Sequence, residues 1–215
     1  MKRRFQTYIL QDSHMPLSTL AGGGLLIMAS SRVAFALVAL AALLWVYGLT
    51  GLTAFLAKPI LPQQGRRVIL LFVSSFLGSL FLLVLWLLSP LLALGSAYLI
   101  ILSPVCCMGS ELFVNLESKT LEEALLKTVF EAASLGGLIL AFALIREPLG
   151  FMTISLPGGD QGIAELFKGD EGNSFFPVRI LASSGGGLLL LGYGAALFRN
   201  LKKPPAGNPP PKEAS

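Results

Sequence analysis

"VILLFVSSFLGSLFLLVLWLLSPLLALGSAYLIILSPVCCMGS", residues 68–110, runs for 43 positions without an Asp, Glu, Lys or Arg. A helix crosses the hydrocarbon core in about 20 apolar residues, so this run is long enough for two crossings. It opens after Arg66 and Arg67 and is divided by Ser89 and Pro90, and proline ends or kinks a helix. Similar charge-free runs extend from Met15 to Ser31, Val33 to Ala57, Ala132 to Ile145 and Ile180 to Phe198. Of the 215 residues, 54% are hydrophobic and 13% charged, where a soluble domain carries about 25% charged. The chain reads as an all-α, polytopic integral membrane protein.

The net charge of +4 carries no nucleic-acid signal, because the basic residues stand at segment ends, where they set loop topology. The two cysteines are adjacent and make no disulfide framework. No dinucleotide fingerprint, P-loop or flavin-attachment motif is present, so no flavin or nucleotide is expected on this chain. The start, "MKRRFQTYILQDSHMPL", turns polar where a signal peptide would be apolar. Residues 1–17 read as a retained cytoplasmic extension. The end, residues 201–215, is proline-rich and reads as a disordered cytoplasmic tail.

Between these lies a membrane domain, residues 18–200, with six expected spans: Ser18–Ser31, Val33–Ala57, Val68–Ser89, Leu91–Val114, Leu121–Ile145 and Ile180–Phe198. The first is short and glycine-rich, about 21 Å if wholly helical. The fourth is expected to be broken by Gly95 and Pro104. Six crossings place twelve of the Lys and Arg residues on one side and four on the other. The positive side is cytoplasmic, so both termini are expected inside. Short-or-broken, long, long recurs in residues 18–89 and 91–200, the pattern of two inverted three-helix repeats meeting near the bilayer midplane. Gly185 to Gly187 can equally serve close helix packing. The outer loop, 147–177, contains "GGDQGIAELFKGDEGN", for which a short amphipathic helix between glycine turns is expected.

The cysteine segment "SPVCCMGSELFVN" (103–115), "LILAFALIREPLGFMTISLP" (138–157) and the closing "GGGLLLLGYGAALFRN" (185–200) resemble the small hydrophobic subunits of the Rnf and Nqr ion-translocating electron-transport complexes. The likeness is best over residues 94–200, and the Arg146-Glu147 corner with inside termini leans toward the RnfE/NqrD type. The resemblance implies a subunit that is not catalytic alone, in the bacterial cytoplasmic membrane. It also implies a sister subunit of the RnfA/NqrE type, across which a 2Fe–2S cluster passes electrons coupled to Na+ or H+ transport. In that family each half contributes a cysteine from its first helix. Cys106 stands at the second-half position, with Cys107 as a replacement ligand or a chance neighbour, and Pro104 would interrupt the helix there near mid-membrane. The first-half cysteine should fall near Leu26 in "GGGLLIMASS" and is absent. Two buried apolar thiols, a divergent non-redox scaffold and a free-standing inverted-repeat transporter are therefore also open.

Among ionisable residues, Glu123, Lys127 and Glu131 recur every four positions and share one helix face. Glu131 is the deepest, about 15 Å from Leu121 along the helix. An intramembrane carboxylate is a functional candidate by default, with a Lys127 partner as the plain alternative. Glu111 can bind a cation or snorkel to the interface. Arg146 and Glu147 are read as a structural corner that orients the outer loop. His14 suggests no site.

Overall fold

A computed structural model describes residues 16–58, 65–108, 121–158, 162–168 and 179–201. The elements are α1 (Pro16–Ala29), α2 (Val33–Leu56), α3 (Arg66–Leu88), α4 (Pro90–Met108), α5 (Leu121–Phe151), β1 (Thr153–Pro157), β2 (Ile163–Lys168), α6 (Arg179–Ala182) and α7 (Ser184–Leu201). Four of the helices, α2 to α5, are long and apolar enough to cross a membrane. The chain is a multi-pass, membrane-embedded helical protein with one small hairpin. The expected extension 1–17 and tail 201–215 fall almost wholly outside the described residues.

Lipid tails are as apolar as leucine, so helices associate in a bilayer through close packing rather than through loss of water. The sequence of α2 suits this, with Ala34, Ala36, Ala39, Ala42 and Ala54 all buried. It is the central helix and packs most extensively on α5. On α5 the buried stripe is Thr128, Ala132, Gly136, Ile139, Ala143, Arg146 and Gly150, with Leu40 of α2 lying against Gly136. Intervals of three and four along that stripe keep one face turned inward. By contrast α3 exposes Phe72, Phe76, Leu83, Leu87 and Leu88 and turns Leu70, Ser74 and Leu77 inward, as expected of a helix at the lipid boundary.

The helices run in alternating directions. At one end of the bundle α1 and α5 finish, α2 begins, and the α6–α7 segment enters, all joined by hydrogen bonds of Arg146 and Glu147. The start of α4 lies at the same end. Gly162 of the hairpin holds φ +77°, and a Cβ there would come within 2.9 Å of Leu92 N. Glycine meets both demands, since it enters left-handed backbone freely and has no side chain to collide.

Four expectations are corrected. Helix α4 runs unbroken through Pro104 to Met108. Proline removes the donor that would reach Ile100 O, but Ser103 Oγ donates to that carbonyl at 2.7 Å. The proline ring packs where α3 has Gly78, so neither polarity nor bulk forces a break. The interruption lies instead in the last segment, at Ser183 between α6 and α7. Gly186 permits it, because a Cβ there would collide with the backbone of Ile180 and Leu181. The Ser183 hydroxyl then accepts from Gly186 N–H at 3.3 Å, a side-chain cap on the resumed helix. The fifth span extends to Phe151, so Arg146 and Glu147 lie in its last turns and not in a loop. The stretch expected as an amphipathic helix forms the antiparallel β1–β2 hairpin, with Ile163–Lys168 as its second strand. Left-handed glycines at 158 and 162 suit a hairpin better than a helix.

Candidate functional site

Polar groups inside the bundle gather at two levels. The first is the end where the helices meet. Arg146 is 2% exposed and Glu147 fully buried, yet they make no use of each other. The Arg146 guanidinium spends its five N–H groups on two broken helix ends. Nε donates to Leu181 O (2.7 Å), Nη1 to Ile27 O (2.6 Å) and Ser30 Oγ (2.9 Å), and Nη2 to Ala182 O (3.2 Å) and Ser183 O (2.7 Å). The terminal carbonyls of a helix lack intrahelical donors and carry its negative dipole end, so one cation satisfies α1 and α6 together. Glu147 serves the opposite pole. Its carboxylate accepts from Val33 N–H at 2.5 Å and, at 3.5 Å, from the Thr153 hydroxyl. Ser155 Oγ accepts from Ala34 N–H at 3.4 Å. Arg32 precedes α2 with no side-chain cap of its own, and its guanidinium lies 5.4 Å from the Phe151 ring centre. This level is a clamp. It ties the end of the first segment to the break in the last.

The second level lies deeper. From Val33 to Thr50 along α2 is about 26 Å, and from Arg146 back to Glu131 about 22 Å. Thr50 is fully buried, with its hydroxyl beside the Cys107 thiol. Glu131, partly buried, is within electrostatic reach of Cys107 and of the buried Tyr47. Thr128 packs on α2 at Gly51, its hydroxyl and methyl each 3.4 Å from where a Cβ on that glycine would lie. Three helices thus contribute to one interior polar patch: α2 with Tyr47 and Thr50, α4 with Cys107, α5 with Thr128 and Glu131.

The structure brings together Cys107 and Glu131 from the residues singled out in the sequence, and keeps Arg146 and Glu147 at the other level. Lys127 is exposed. Glu111 lies outside the described residues, as does the side chain of Glu123. Tyr47, Thr50 and Thr128 were missed. A signal was present: Tyr47 and Thr50 share a helix face at an interval of three, as do Thr128 and Glu131, within otherwise apolar runs.

A 2Fe–2S cluster needs thiolates that can reach its irons. Cys106 and Cys107 are thiols outside any disulfide, buried in the core of this chain, 5% and 1% exposed. Neighbouring residues on a helix diverge by about 100°, so both cannot aim at one iron. Leu26, where the resemblance implies a cysteine, is a buried leucine of the same core. Among the described residues no three His, Cys, Asp or Glu side chains converge. This donor set does not fit a four-thiolate cluster shared across a subunit surface. No family model, curated protein or solved structure matches the chain.

Proposed function

We infer that the chain is a membrane subunit of an Rnf/Nqr-like ion-translocating complex, of the RnfE/NqrD type, acting without a cluster of its own. Its place is the bacterial cytoplasmic membrane, with both termini inside and a sister subunit of the RnfA/NqrE type beside it. There it serves the movement of Na+ or H+ and the assembly of the complex. The observation that carries the non-redox part is the burial of Cys106 and Cys107 inside the chain's own core, pointing apart and with no thiol near Leu26. The sequence likeness of residues 94–200 supports the family. Opposite directions of α1 and α4, and of α2 and α5, support two inverted halves, 18–89 and 91–200.

The test is purification of the tagged chain from native membranes with its partners, followed by iron and acid-labile sulfide analysis and EPR of the reduced sample. The expected result is a stable complex in which Cys106→Ala changes neither iron content nor signal. An electron relay through a cluster shared with the sister subunit is the second reading, favoured by both cysteines being unbridged thiols. A 2Fe–2S signal lost in Cys106→Ala establishes it and refutes the first. Ion uptake by liposomes holding this chain alone identifies a free-standing transporter instead.

A further inference from the structure

We draw no further inference here: the strongest candidate, the Arg66 guanidinium at the N-terminal end of α3, whose Nε and Nη2 have no hydrogen-bond partner, sits on a helix N-terminus with no second feature that points to a ligand, because the arginine is only partly buried and nothing in the structure shows what covers it.

Discussion

Replacing Arg146 by methionine would remove five hydrogen-bond donors from a buried position while keeping much of the side-chain volume. Four backbone carbonyls, of Ile27, Leu181, Ala182 and Ser183, lose a charged donor at 2.6 to 3.2 Å. The fifth acceptor, Ser30 Oγ, keeps its own bond to Ile27 O. A hydrogen bond from a charged donor contributes about 1.5–3 kcal/mol net, and bonds in one network do not add fully. Partial wetting at this end of the bundle reduces the loss further. About 4–6 kcal/mol is expected, a large part of the 5–15 kcal/mol about which folded domains cluster. At about 2–4 °C per kcal/mol for a chain of this size, the melting temperature should fall by at least about 8 °C. Lysine brings three donors to the same five acceptors, so Arg146→Lys should fall between the two. The natural reporter is the pair Cys106 and Cys107. They are the only thiols in the chain and both are buried, so a thiol-reactive dye lights up on unfolding. If Arg146→Met melts within about 2 °C of the parent, the clamp does not hold the two helix ends together.

Glu147→Leu leaves Val33 N–H without an acceptor and should cost about 1–3 kcal/mol, whereas Glu147→Gln keeps an acceptor and loses only the attraction to the α2 dipole, about 0.3–1 kcal/mol; the same melt ranks them. Gly186→Ala drives a methyl into the backbone of Ile180 and Leu181 and should abolish folding or lower the melting temperature by more than 10 °C or so, by analogy with strained backbone positions. Gly185→Ala is its control: that position is exposed and open, and the change should be neutral or stabilise by about 0.5–1 kcal/mol. In the folded protein a membrane-permeant maleimide should leave Cys106 and Cys107 unmodified, as their burial requires; rapid labelling of either would place a thiol at a surface and revive the intersubunit cluster.

Some features could be read in advance because they are local. Four of the charge-free runs appear as the helices α2 to α5, long and apolar enough to span a membrane, and the short glycine-rich first segment appears as the 14-residue helix α1. Other features misled for equally physical reasons. Pro104 looked like a break, but its effect depends on the preceding serine and on a glycine of α3 lying opposite. "IAELFK" looked helical in isolation, but its partner strand lies ten positions upstream. Arg146 and Glu147 were noticed as a pair and assigned to a corner. Their partners, Ile27 and Val33, stand more than a hundred residues away, so no spacing rule links them.

Composition alone determined that this chain lives in lipid, because transfer of apolar residues from water to hydrocarbon is roughly additive along a segment and needs no knowledge of neighbours. Only the tertiary structure decided which polar groups are satisfied and which are not. The saturated guanidinium at one level and the grouping of Tyr47, Thr50, Cys107 and Glu131 at the other are properties of helices brought side by side. Hydrogen bonding is directional and short-ranged, so it is settled only when the bundle closes.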